Sequence, residues 1–307
     1  MSRQNIAGFA IAAAIMGLDG FDIVAMSLAA PHVMPQFGLS PARMGVVFSA
    51  LLVGLGLGSM LLGPLGDRFG RRPTVLAGVV MLAVATLGTA TGSGYFDFSA
   101  WRLLGGMALG LCLTNTTAMV AELAPSQRRA ATVALISTGM SVGVIVAGLL
   151  APWLVEQGGW RLIFVAPGVV TLLVALAVWL WLPETRVPRS PAAQLAASAS
   201  SGLAALLKAP LRAQLIHFAV FFGTSAAAMY WFTNWLPVVL PRAGYTTTAA
   251  AHYLSLAQTG SLAVGILIGW LLDRGLGRVS FAACYLFVLM ALGLFLRSEE
   301  RRVGKEC

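Results

Sequence analysis

The sequence predicts an all-α polytopic membrane protein, and three observations carry that prediction. Apolar residues make up 58% of the 307-residue chain and charged residues only 10%, where a soluble domain averages about 25% charge. The apolar residues gather into nine long runs, and roughly 18–25 such residues in succession let a helix cross a bilayer. The basic residues fall unevenly on the two sides of those runs.

The nine runs are Ile6–Met34, Met44–Gly66, Thr74–Thr91, Trp101–Ala121, Ala131–Val155, Leu162–Leu182, Ala213–Leu240, Ala249–Leu272 and Val279–Leu296. With the N-terminus in the cytoplasm, one side receives Arg3, Arg68, Arg71, Arg72, Arg128, Arg129, Arg186, Arg189, Lys208, Arg212, Arg274 and Arg278. The other side receives only Arg43, Arg161 and Arg242. Twelve against three is a positive-inside bias that orients the chain. The net charge of +9 therefore reads as a topology signal, and no nucleic-acid partner is expected. The first run is too long for a signal-peptide core, and no convincing cleavage site precedes the second. The expected location is the cell inner membrane, multi-pass, with a cytoplasmic N-terminus. Cys112 and Cys284 lie in apolar runs and read as small hydrophobes. No zinc-type spacing, phosphate-cradling glycine loop or nucleophile elbow appears, so neither a metal nor an enzymatic activity is expected.

The first six runs form a dense block, residues 1–182. A stretch rich in Pro, Ser and Ala follows, residues 183–212, and reads as a cytoplasmic linker with a short surface helix at Ala192–Leu207. Residues 213–296 carry three further runs. The last eleven residues, "RSEERRVGKEC", hold seven charges and resemble the translated frame of a sequencing adapter. Residues 297–307 are expected to be a non-native tail. The sequence also repeats itself. "GPLGDRFGRRP" (Gly63–Pro73) follows the second run and "GWLLDRGLGR" (Gly269–Arg278) follows the eighth. A frame recurring six runs later implies two related halves. Two halves of six would make twelve spans, so the chain is expected to be truncated at its C-terminus and inactive by itself.

Within the first run, "GLDGFDIVA" carries Asp19 and Asp22. Each acid at a helix centre costs about 2.5–3.5 kcal/mol on insertion scales, so a functional or paired role is the default. A spacing of three sets them about 60° apart on one helical face, which should look into a bundle. Desolvation and mutual repulsion disfavour two charges together, so at least one is expected to exchange protons near neutrality. Gly20 between them permits close packing or a local kink. Elsewhere Tyr230, Trp231, Phe232 and Trp235 cluster in the seventh run around Asn234, and read either as cavity walls or as an interfacial aromatic belt. Asn115 and Gln258 are polar candidates for a pocket. His32, His217 and His252 fall near run ends, where solvent contact is the simpler reading.

"DGFD", "GPLGDRFGRRP", "WRLLGGMALG" (Trp101–Gly110), "VAEL" (Val120–Leu123), "PET" (Pro183–Thr185) and "YWFTNWLPVVLPRAGY" (Tyr230–Tyr245) occur in this order. Together they resemble the major facilitator superfamily, and within it the aromatic acid:proton symporters. The resemblance covers nearly all of residues 6–296. It implies a major facilitator fold with a complete N-terminal six-helix half and the first three helices of the C-terminal half. It further implies import of benzoate- or hydroxybenzoate-type carboxylates by alternating access in a monomer, driven by a proton gradient without any cofactor. Sugar or polyol symport, symport of another organic acid and drug export are the rival transport readings.

By the same resemblance, Gly63, Asp67, Arg68, Gly70, Arg71 and Arg72, with Asp273 and Arg274 in the second copy, form a conformational latch. The motif R-x-x-x-G-x-x-x-G, here Arg102, Gly106 and Gly110, makes Arg102 a buried cation near the translocation path. Its guanidinium suits a substrate carboxylate or the first-run acids; its place near a run end also allows it to snorkel outward. Asp19 and Asp22 become the proton-coupling pair, and Arg102, Asn115, Tyr230 and Gln258 the substrate-binding candidates. Glu122 reads equally as a functional acid or as a charge partner of Arg128 or Arg129.

Overall fold

The computed structural model describes residues 3–182, 184 and 211–273. All regular structure among them is helical. The eight long helices are α1 (Arg3–Phe37), α2 (Pro41–Leu57), α3 (Arg71–Thr91), α4 (Tyr95–Leu123), α5 (Arg129–Gly158), α6 (Leu162–Trp181), α7 (Leu211–Arg242) and α8 (Thr247–Asp273). Among the described residues, seven helical segments are long and apolar enough to cross a membrane. The ninth run, the linker helix at 192–207 and the tail at 297–307 lie outside the described residues.

Short connections are built from the residues that turns require. Ser40 caps α2 by accepting from the Arg43 N–H at 3.3 Å, with Pro41 at the first helical position, where its missing N–H costs nothing. α2 then runs through a π-helical turn, Gly58–Leu62, into a short helix, Leu65–Phe69. Gly70, at φ +104°, reverses the chain into α3, a conformation that residues with a Cβ rarely adopt. α4 begins at Tyr95, before the expected Trp101. Its first turn sets three aromatic residues around Asp97, which accepts from the Ser93 hydroxyl (2.6 Å) and N–H (3.1 Å). Asp97 and Ser99 interrupt the apolar run there, so counting apolar residues starts the span too late.

In lipid, helix association relies on close packing through small residues, since no hydrophobic gain drives it. Two crossings show this. A Cβ on Gly54, Gly58 or Gly106 would strike the backbone oxygen of Leu103, Met107 or Leu51, so α2 and α4 touch backbone to backbone. α1 and α5 do the same, with Gly20 against Met140 O and Gly143 against Gly17 O. α3 packs between α4 and α6, and α1 runs through the middle, touching α4, α5, α6 and α7.

The chain separates into two compact units, residues 1–258 and 259–307. In the first, α7 joins the six-helix bundle by its C-terminal half alone. The Ser27 hydroxyl of α1 reaches the carbonyl oxygen of Asn234 at 2.6 Å, and Val238 is buried. Residues 216–225 of α7 are all exposed. The first half of α8 packs on α5 through Ser255, which donates to Ile145 O at 2.9 Å, and Gln258, which donates to the Ser141 hydroxyl at 3.0 Å. The described part of the second unit, residues 259–273, continues α8 to Asp273.

Candidate functional site

Two polar clusters lie in the six-helix bundle. The inner one is built from α1, α3, α4 and α6. Asp19, Asp22 and Arg102 are 1%, 2% and 0% exposed. Arg102 Nη2 meets Asp22 Oδ1 at 3.0 Å, and Nη1 donates to the Asp22 backbone oxygen at 3.0 Å. Thr86 of α3 donates to the same Oδ1 at 2.8 Å. One turn further along α3, Thr89 donates its proton back to Ala85 O, and so offers a lone pair to Arg102 Nη2 at 3.4 Å. The Phe164 ring of α6 lies 5.5 Å from the guanidinium carbon, a favourable place for a cation. Edge-to-face contacts connect Phe164, Trp160, Phe98 and Phe37, and Trp160 Nε1 donates to Gln36 Oε1 at 2.7 Å. This aromatic layer closes one side of the cluster.

Asp19 is unlike Asp22. Neither of its carboxyl oxygens has a hydrogen-bond partner, whereas Asp22 lacks one only at Oδ2; the buried Thr116 hydroxyl and Arg102 Nε also have none. Burying a charge without a partner is far more costly than burying a paired one.

The second cluster centres on Arg71 at the start of α3. Its guanidinium pairs with Asp67 (2.6 Å) and Glu122 (3.2 Å) and donates to Asn115 Oδ1 at 3.0 Å. Asn115 in turn donates to the Gly63 carbonyl at 3.2 Å, and a Cβ at Gly66 would strike its Oδ1. Glu184 accepts from the Arg71 backbone N–H at 3.0 Å. It thus places a carboxylate at the positive end of the α3 dipole. Arg72 donates to Trp179 O, and Arg68 lies over the Phe69 ring at 5.3 Å.

Between α2 and α7 lies an open groove of about 420 Å³, lined by Phe48, Tyr230, Trp231, Asn234 and Trp235 among others. Phe48 and Trp235 meet edge to face at 5.5 Å. Its walls are flat and apolar, with few polar groups, the usual make-up of a small-molecule site.

The profile of the Major Facilitator Superfamily matches residues 9–299. The chain belongs to that superfamily. Among curated relatives, the gallate transporter of Pseudomonas putida is 32% identical over 287 residues, 85% of this chain and 64% of its own length. The 4-hydroxybenzoate transporter of the same organism is 29% identical, with the same coverage. The 3-(3-hydroxy-phenyl)propionate transporter of Escherichia coli is also 29% identical, over 84% of this chain and 62% of its own. The chain thus spans about 64% of the length of the first curated relatives it matches. Among solved structures, a D-xylose-proton symporter superposes with a TM-score of 0.67 at 19% identity, covering 88% of this chain and 69% of that one. That likeness concerns the fold alone.

Within this superfamily frame the expected site residues separate. Asp19, Asp22 and Arg102 come together, and Arg102 points inward into the bundle. Asn115 lies in the Arg71 cluster, away from the acids. Gln258 is bonded to Ser141, and Tyr230 lines the α2–α7 groove. Gly63, Asp67, Gly70 and Arg71 gather as one unit, and Glu122 pairs with Arg71. Asp273 ends α8, and Arg274 lies outside the described residues. Sequence reasoning missed Thr86, Thr89, Phe164 and, as a named residue, Glu184. The two threonines carried a signal, as polar residues in an apolar run; Phe164 carried none.

Proposed function

We propose that the protein is a proton-coupled symporter that imports aromatic carboxylates of the benzoate or hydroxybenzoate type across the inner membrane by alternating access. The carrying observation is the buried Asp19, Asp22 and Arg102 constellation, in a superfamily chain whose curated relatives are named for gallate and 4-hydroxybenzoate. Two carboxyl groups and one guanidinium in a low-dielectric interior are neutral together only with one extra proton, which supports a proton-loading site. The groove beside Tyr230 offers the flat walls an aromatic ring needs. Arg102 acts first as the charge partner of Asp22 in this conformation.

Two further features support the reading. α7 meets α1 only at the end remote from the Arg71 cluster, an arrangement that fits halves closed at one end and parted at the other. The Arg71 cluster supplies ion pairs that a rocking motion can make and break. With the N-terminus cytoplasmic, the Arg71 end faces the cytoplasm. The transporter works as a monomer and requires no cofactor.

Uptake by the uninterrupted reading frame tests this. In a host without its own aromatic-acid uptake, radiolabelled 4-hydroxybenzoate, gallate, xylose and a short organic acid are offered under an imposed proton gradient. Accumulation of the aromatic acids, lost on collapsing the gradient, is expected. Accumulation of xylose alone, or uptake indifferent to the gradient, would sink the reading. The 307-residue chain reconstituted by itself is expected to be inactive in the same assay.

A further inference from the structure

The proton-coupling reading leaves two acids undistinguished, and the geometry of α1 separates them. We propose that Asp19, and not Asp22, binds and releases the coupled proton, while Asp22 and Arg102 form the fixed charge pair beside it. The inference rests on the proton-coupled reading above and assigns the proton within it.

Asp22 Oδ1 accepts from Arg102 Nη2 at 3.0 Å and from Thr86 Oγ1 at 2.8 Å, and its backbone oxygen holds Arg102 Nη1. Charge-assisted bonds of this kind favour the carboxylate form, and protonating Asp22 would leave Arg102 an uncompensated buried cation. Both oxygens of Asp19 are buried without any donor, so a carboxylate there would be stabilised by nothing. Charge counting agrees. One guanidinium and one carboxylate balance, and the second carboxyl group is accommodated as the neutral acid.

The groups facing Asp19 support the assignment from every side. Its own helix supplies Asp22, whose negative charge opposes a second one. α4 supplies Arg102, whose two terminal nitrogens are held by Asp22 while its Nε has no partner, and the thiol of Cys112. α3 between Thr74 and Thr91, α5 between residues 130 and 155, and α6 carry no titratable side chain. α7 contributes Tyr230, which lines the groove against α2. Thr116, buried with its hydroxyl unpartnered, lies one helical turn from Cys112 on α4. Release breaks the Oδ–H bond of Asp19 and passes the proton to water, leaving a carboxylate beside Asp22. That state carries one uncompensated negative charge. It persists only if Asp19 gains solvent or a cation, as a change of facing state would provide.

Infrared spectra of the purified 307-residue chain in lipid nanodiscs at neutral pH test the assignment without transport. A carboxylic acid C=O band that shifts in D2O is expected. Asp19→Asn should remove it, and Asp19→Glu should move its frequency. A band that survives Asp19→Asn, or its absence from the unsubstituted chain, would overturn the proposal. Should Asp19→Asn fail to fold, Asp19→Glu decides, because a band left unmoved by it belongs to another group. The outcomes are separable from the transport reading. A band assigned to Asp22 would leave proton coupling standing, and a band assigned to Asp19 does not depend on substrate uptake.

Discussion

Arg102 and Arg71 do comparable work in very different surroundings. Arg102 is wholly buried and has one carboxylate, one backbone carbonyl, one hydroxyl and one aromatic face. Arg71 keeps a side-chain exposure of 16% and holds two carboxylates and an amide. The inner arginine is matched one to one, because any excess charge in a low-dielectric interior is costly. The outer one is surrounded redundantly, because each pair near solvent is weak. Several weak contacts can be made and broken one at a time. A charge that must stay placed needs one that is tight.

The comparison breaks most easily at Arg102. Arg102→Ala leaves Asp22 buried and unpaired and should cost about 3–5 kcal/mol, read by reversible unfolding in mixed micelles. Replacing the pair together, Asp22→Leu with Arg102→Met, should recover most of that loss. A single variant no worse than Arg71→Ala would contradict the contrast. Next comes Thr86→Val, which removes a hydroxyl donated to a carboxylate and should cost about 1.5–3 kcal/mol. Arg71→Ala should cost about 1 kcal/mol, and the difference from the unsubstituted chain should shrink in about 1 M salt, where the screening length falls to about 3 Å. An effect insensitive to salt would mean that Arg71 works by packing. The smallest change is expected from Glu184→Gln, which removes a carboxylate from the α3 N-terminus and should cost about 0.3–1 kcal/mol. Hydrogen exchange at the first turn of α3 would register it where global unfolding does not.

Much of this was readable from residue types. Apolar runs located the helices, because spanning segments must satisfy their backbone internally. Two acids three apart announced a shared inward face. The partners were not readable. Arg102 near a run end is compatible with snorkelling or burial, and only the neighbouring helices decide between them. Asn115 is a polar residue in an apolar run, and its type serves a pocket or a helix contact equally. The backbone-close packing of Gly63 and Gly66 brings it to Arg71. Phe164 was illegible because a phenylalanine in an apolar run carries no mark of the cation beside it.

The crossing of α1 and α5 carries a consequence of its own. Gly20 stands between Asp19 and Asp22 and is pressed against Met140 O, while Gly143 presses on Gly17 O. A single methyl at either glycine would push the two helices apart at the depth of both acids. Such a change alters no charge, yet it would let solvent reach a site that depends on being dry. In the uptake assay proposed above, Gly20→Ala and Gly143→Ala should therefore be impaired, as replacement of either aspartate should be.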